Sequence, residues 1–412
     1  MKLIDFIAEK FPDSILEQKE DEGTRFGLPY PFTVPSPGDI FDCMFYWDTY
    51  FTNVGLLPDW NLTQAIYNTD NIRHLIERFG YMPNSSKAHH LGQSQPPLYC
   101  RMVKEIYDIT SDRVWLGKHY DTISKEYDFW MTYRLAPNGL NYYGKDISGE
   151  SQERISARYN YFLSRFEGFS SQDPEMPRKA AETMGSLCES GWDCCYRFQL
   201  SGHSYNPVDL NFLLLSLETN MVFFSKELNR EEEKLWQQRA DRRKGLLDRY
   251  LYVPEKGFYL DWNFAEQKHS PVISVASLFP LFLGFHHPSE NLMKILEEEL
   301  LLPFGVAATV KTEHPYKLQW EYPNLWPPLQ YVAYRACVEA GRGELAKQIA
   351  LKYMTLLERN FEKTGNLWEK YDSVTGEVVN AEYHAPPMMG WTAGVYLYFH
   401  HHYQNEFPIC TA

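Results

Sequence analysis

Apolar residues recur at helical spacing along most of the chain. In "NLTQAIYNTDNIRHLIERFG" the residues Ile66, Ile72, Leu75, Ile76 and Phe79 fall on one helical face, and Gly80 supplies a stop. "PVDLNFLLLSLETNMVFFSKEL" opens on Pro207 and carries a broad apolar face. "NREEEKLWQQRADRRKGLLDRYLY" mixes charged and apolar positions, as an outer, solvated helix does. "NLMKILEEELL", "LQYVAYRACVEAG", "GELAKQIALKYMTLLERNF" and "GWTAGVYLYFHHHYQ" continue the pattern. This periodicity predicts about a dozen helices, often one apolar member paired with one charged member. The joints are rich in Pro and Gly: "GLPYPFTVPSPGD", "YMPNSS", "SQPP", "EYPNLWPP", "EYHAPPMMG". Strand signals are few and short, "KGFYLDW" being one.

No Gly/Ser linker or charge block divides the 412 residues, and no sequence repeat of fixed period is visible. Paired helices in one undivided chain predict an all-α fold, a toroid of inner and outer helices known as the (α/α)6 barrel. The expected organisation is a single catalytic domain over residues 1–412, with 1–30 as an N-terminal helical extension. The inter-helix joints at one end would then line a central pocket, since functional residues concentrate on loops over a rigid scaffold.

Composition narrows the partners. Hydrophobic residues are 44% and charged residues 23%, a globular balance. Aromatic residues reach 16%, which suits a pocket that stacks on sugar rings. The net charge of −14 argues against nucleic acid or an anionic membrane as partner. The start, "MKLIDFIAEKFPDSILEQKEDEG", predicts a short amphipathic helix rather than a secretory signal, and no stretch has the length of a membrane span. Cysteines at 43, 100, 188, 194, 195, 337 and 410 form no CxxC pair. Reduced thiols and a cytoplasmic location are the expectation. The histidine clusters at 88–90, 285–287 and 400–402 lack the spacing of zinc hydrolases, so no metal site is expected. The oligomeric state is not legible.

The carboxylates carry more information. In "ESGWDCCYRF" the charges Glu189, Asp193 and Arg197 stand four apart. On a helix they would share one face, and a solvated, salt-bridged surface is the plain reading. The alternative is a carboxyl held against an indole. Four Trp–acid dipeptides occur among eleven tryptophans: Trp47-Asp48, Trp192-Asp193, Trp320-Glu321 and Trp368-Glu369. Glu382 follows in the same aromatic-rich region as Glu369. An indole excludes water and raises the pKa of an adjacent carboxyl, which can then donate a proton; a wetter carboxylate stays ionised and acts as base. Paired carboxylates in an aromatic cleft can break a glycosidic bond. Each acid could equally be a buried, hydrogen-bonded structural group.

Several segments resemble the motifs of trehalases, the inverting α-glucosidases of glycoside hydrolase family 37. "PGDIFDCMFYWDTYF" resembles the first signature, Pro-Gly-Gly-Arg-Phe leading into Tyr-Trp-Asp-Ser-Tyr-Phe. "MPNSSKAHHLGQSQPP" resembles Ile-Pro-Asn-Gly … Ser-Arg-Ser-Gln-Pro-Pro. "ESGWDCCYRF", followed by "PVDLN", resembles Glu-Ser-Gly-Trp-Asp-Ser-Ser-Arg-Trp. "QWEYPNLWPPLQ" resembles the second signature, and "EKYD … AEYHAPPMMGWTAGV" resembles the closing element. The order matches the family's, from about Pro35 to Val395.

The resemblance implies the (α/α)6 fold, a small carbohydrate substrate and no cofactor. It implies Asp193 as general acid and Glu382 as general base. Trp47 and Asp48 would meet the non-reducing glucose, with Asn84, Gln95, Gln319 and Trp320 lining the same pocket. Gly191 would be a close backbone contact to the sugar. The reaction would be single-step inversion, with the two carboxyls roughly 6.5–9.5 Å apart to admit a water.

Two departures bear on the substrate. The arginine of the first signature falls on Ile40, and the arginine before Ser-Gln-Pro-Pro falls on Gln93. The family's Arg-Pro-Glu element has only loose counterparts in Glu150, Glu153 and Arg154. Trehalose or another small α-glucoside is therefore expected, with glucosylglycerate, mannosylglycerate or an oligosaccharide α-glucoside as alternatives. The chain's size resembles that of the compact family 63 and glycerate-glycoside hydrolases. An (α/α)6-barrel sugar epimerase working through histidines, and a non-catalytic sugar-binding descendant, complete the alternatives.

Overall fold

The computed structural model describes residues 1–38, 41–57, 59–145, 147–285, 289–380, 386–387 and 390–403. A first helix, α1 (Leu3–Lys10), buries Leu3, Phe6 and Ile7. Next come α2 (Tyr46–Leu56), α3 (Leu62–Phe79), α4 (Tyr99–Thr110) and α5 (Arg113–Tyr133). An excursion carries α6 (Gln152–Arg165) and α7 (Met176–Ser190). The chain continues through α8 (Val208–Leu228), α9 (Glu233–Tyr250), α10 (Phe279–Phe282) and α11 (Glu290–Ile295), then α12 (Pro327–Glu339), α13 (Gly343–Thr364) and α14 (Gly390–Tyr403). The strands among the described residues are two residues long and form four pairs, such as Asn324–Leu325 against Tyr371–Asp372, and one three-stranded sheet.

The helices form because their ends are specified and one face is apolar. The Asn61 side chain accepts from Gln64 N at the start of α3, and Gly80 closes that helix with φ 84°. Asp112 caps α5 through Val114 N and Trp115 N. The charged "NREEEK…" segment becomes α9, which buries only Trp236, Ala240, Arg243 and Leu247. By contrast all eleven residues of α2 are buried.

Packing order reveals a closed ring. α2 packs on α4, α4 on α8, α8 on α10, α10 on α12, α12 on α14, and α14 returns to α2. Helices α3, α5, α9 and α13 pack outside this ring. This is the inner and outer arrangement of an (α/α)6 barrel. At the closure, a Cβ on Gly55 or Gly394 would run into the backbone of the facing helix, so glycine at both positions lets α2 and α14 touch directly. The N-terminal segment joins the barrel through Phe6, whose ring lies 4.8 Å from that of Phe361 on α13.

The expected helix face across Glu189, Asp193 and Arg197 does not exist. α7 stops at Ser190, and Gly191 takes a left-handed conformation (φ 75°) that turns the chain out of the helix. Asp193 lies in the turn beyond it.

Candidate active site

The N-terminal ends of α2, α12 and α14 meet at one end of the ring, and each brings an indole there. Trp47 stands in the first turn of α2, Trp391 in the first turn of α14, and Trp326 caps the start of α12. Trp320 stacks flat on Trp326, with centroids 3.9 Å apart and planes 3° from parallel. It also lies 5.4 Å from Trp47 and 5.5 Å from Trp192. Trp391 stands edge-on to Trp47, Trp320 and Trp326, at 6.0, 6.4 and 5.8 Å. Five indoles thus form one wall, and two of them fix loops: Trp326 Nε1 donates to Gln319 O at 2.8 Å, and Trp391 Nε1 to Glu369 O at 3.3 Å.

Three carboxyls converge on this wall. Asp48 follows Trp47 in the first turn of α2 and is buried. Burial pushes its pKa up to about 8, against its own backbone hydrogen bond; the Glu369 and then the Asp193 carboxylates add to the rise. Asp48, Glu369 and Asp193 therefore share one electrostatic site. Asp193 is partly exposed, while Glu369 is buried. Beside Asp193 stands Cys188, whose thiol is raised by burial and by the Asp193 charge; its side chain also meets Gln93.

The turn that presents Asp193 is held from both sides. Before it, the fully buried Glu189 accepts from Arg134 Nε and Nη2 at 2.7 and 2.9 Å, from Ser94 N at 2.8 Å and from Gly144 N at 2.7 Å. After it, the fully buried Arg197 binds Asp261 at 2.6 and 2.8 Å and Asp209 at 2.6 and 3.1 Å. Its guanidinium lies 4.9 Å over the Trp192 ring. The two charges that looked like helix-surface partners of Asp193 are the anchors of its turn. Gly191 sits hard against Trp47, where an added Cβ would stand 2.7 Å from both Cε2 and Cζ2.

The remaining expected residues gather at the same end. Gln95 Oε1 accepts from Trp47 N at 3.0 Å and so sets the start of α2. Asn84 Nδ2 reaches Ser94 O and Cys188 O, each at 3.4 Å, tying the 84–95 loop to α7. Gln319 Oε1 accepts from Lys370 Nζ at 2.8 Å. Gln93 Nε2 donates to Gly185 O at 3.3 Å. Glu382 and Ile40 lie outside the described residues.

Not every Trp–acid dipeptide places its acid in the site. Glu321 is buried and accepts from Tyr196 N, from Thr309 Oγ1 at 2.9 Å and from Thr312 Oγ1 at 3.5 Å, so it ties loops together. Glu150, one loose counterpart of the Arg-Pro-Glu element, forms a two-point pair with Arg158 at 2.9 and 3.0 Å. Lys370 was missed. It is fully buried, 5.0 Å over the Trp326 ring and 3.6 Å from Glu369 Oε2, and it is a cation inside the indole wall. Its signal was its place directly after a Trp–acid pair. Trp326 and Trp391 stand inside the trehalase-like motifs, and the sequence alone gives them no role.

Comparison with known proteins gives consistent results. A family model described as Trehalase matches residues 8–404. A periplasmic trehalase of Pseudomonas aeruginosa is 30% identical over 405 residues, spanning 92% of this chain and 72% of that protein. Among solved structures, the neutral trehalase of Saccharomyces cerevisiae superposes with a TM-score of 0.75 at 22% identity, over 90% of this chain and 73% of that one. The GH63 mannosylglycerate hydrolase of Thermus thermophilus gives 0.63 at 18% identity, over 95% of this chain and 98% of that one.

Proposed function

The chain belongs to the trehalase family and is a glycoside hydrolase, and from that premise we propose that it cleaves α,α-trehalose by single-step inversion. The observation that carries this reading is the convergence of Asp48, Glu369 and Asp193 on a wall of indoles. Asp193, presented on its anchored turn, donates a proton to the bridging oxygen. A second, ionised carboxylate takes a proton from water on the opposite face of the ring, and that water attacks the anomeric carbon. One glucose leaves in the α form, and the attacked one is released as β. Asp48, Gln95, Asn84, Gln319, Trp47, Trp320 and the Gly191 backbone bind the attacked ring. The base is one of two residues. The resemblance names Glu382; the electrostatic contact with Asp48 supports Glu369.

Proton NMR of the anomeric signals, from the first minute of reaction with α,α-trehalose, tests this. Equal early amounts of α- and β-glucose are expected. α-Glucose alone would mean retention and overturn the mechanism. A second reading, hydrolysis of a glycosylated glycerate, is favoured by Gln93 standing where the family has arginine, and by the likeness to a protein of that activity. It predicts no glucose from trehalose and release of glycerate from glucosylglycerate or mannosylglycerate.

A single catalytic domain is the organisation this reading uses. No helix among the described residues is long and apolar enough to cross a membrane. Among the described residues six cysteines stand as thiols, which supports a cytoplasmic setting, whereas the Pseudomonas relative is named periplasmic.

A further inference from the structure

The other end of the barrel holds a second space. A cavity of about 650 Å³ opens among the later turns of the inner helices, with walls from α2, α4, α8, α10, α12 and α14. Its residues, such as Arg101, Thr219, Phe282, Tyr331, Arg335 and Tyr398, are none of those placed at the catalytic end. One aromatic layer separates the two. Trp47 lies 5.8 Å from Phe51, Phe51 lies 6.3 Å from Tyr331, and Tyr331 lines the far cavity.

The walls are charged but sum to zero. Arg101 pairs with Glu105 at 2.9 Å, Lys104 with Asp108 at 2.6 Å, and Arg335 with Glu339 at 3.0 Å, each one helical turn apart. Such a lining gives no net field to hold an anion or a cation. It does leave hydrogen-bonding capacity unused. Among the described residues, Arg101 is held by Tyr50 OH and Glu105 through Nε alone. Arg335 brings a second guanidinium to the wall, its Nη1 donating to Tyr398 OH at 3.3 Å and its Nη2 to Glu339 at 3.0 Å. Acceptors stand beside these donors in the paired carboxylates and in Ser216, Thr219 and Asn220. Phe282, with the Arg101 guanidinium 4.3 Å over its ring, and Tyr398 supply apolar faces. Donors, acceptors and aromatic faces with no net charge match a neutral polyhydroxylated ligand, and the volume lies within the roughly 300–1,000 Å³ of small-molecule sites.

We propose that this far-end cavity is a second, non-catalytic carbohydrate site that takes a neutral disaccharide. It stands independently of which glycoside the catalytic end cleaves.

Saturation-transfer NMR on the full-length Asp193→Asn protein tests it, with maltose, α,α-trehalose and glucose 6-phosphate as probes. Each is measured with and without saturating deoxynojirimycin, which occupies a glucosidase pocket. The expected result is a maltose or trehalose signal that survives the iminosugar and weakens at least tenfold with Thr219→Trp. Thr219 is exposed, so the larger side chain fills the cavity without entering the core. Arg335→Met, which removes that guanidinium from the wall, should weaken the signal in the same way. In the Asp193 background both variants should keep the turnover of the parent. A signal that vanishes with the iminosugar, that Thr219→Trp and Arg335→Met leave intact, or that only glucose 6-phosphate gives, overturns the proposal.

Discussion

Gly191 and Trp47 touch so closely that residue 191 has no room for a side chain: its Cβ would lie 2.7 Å from two atoms of the indole. Its φ of 75° adds a second cost, since a side chain in the left-handed region costs about 1 kcal/mol before any clash. Gly191→Ala should therefore lower thermal stability and reduce kcat/KM at least ~10-fold through displacement of Trp47. Parallel thermal melts and steady-state kinetics check this. A variant with normal kinetics would show that Trp47 has no fixed role.

The two-carboxylate mechanism predicts distinct behaviour for its members. Asp193→Asn should lower turnover of trehalose by at least ~100-fold, and so should removal of the base. On α-glucosyl fluoride, whose leaving group needs no proton, Asp193→Asn should recover and the base variant should not. Glu369→Gln and Glu382→Gln, tested side by side, assign the base: the one that stays inactive on the fluoride holds it.

Arg197 is a buried cation between two buried aspartates. Arg197→Met leaves Asp209 and Asp261 without their partner, a loss of about 3–5 kcal/mol for a pair broken on one side. Urea unfolding should show the lowered midpoint. Residual folded protein should also be poorly active, because the Arg197 guanidinium supports Trp192 beside the Asp193 turn.

Two buried acids make stability fall toward alkaline pH. Burial holds Asp48 up at about 8 and, against the hydrogen bond from Tyr46 OH at 2.6 Å, holds Glu126 at about 8 as well. Their folded values exceed their unfolded ones, so the folded state binds more protons between the two. Their contribution is full below the ordinary carboxylate range and is lost as the pH rises through about 8. Melting temperatures at pH 5 and pH 9 should differ less in Glu126→Gln than in the parent, since a glutamine still accepts from Tyr46 and does not ionise.

The helices were legible because each carries its own record of burial and termination, as α3 does from Asn61 to Gly80. The Asp193 turn was not. Glu189 and Arg197 find their partners at Arg134, Asp209 and Asp261, and a window around residue 193 shows only their four-residue spacing. The Trp–acid pattern likewise found Asp48, Asp193 and Glu369 but could not set Glu321 apart. That distinction rests on Tyr196 N and Thr309, groups brought near only by the fold. Lys370 was hidden for a related reason: a lysine in the sequence reads as surface, and only the stacking of Trp326 beneath it shows otherwise.

The parallel pair Trp320 and Trp326, 3.9 Å apart with three more indoles around it, has an optical consequence. Transition dipoles this close exchange excitation, so the group absorbs and emits as a coupled set rather than as separate chromophores. Its near-ultraviolet circular dichroism then reports the assembled pocket itself. A sugar settling against the wall would alter the spectrum while the helical signal of the barrel stays still, giving the protein a built-in gauge of occupancy that needs no label.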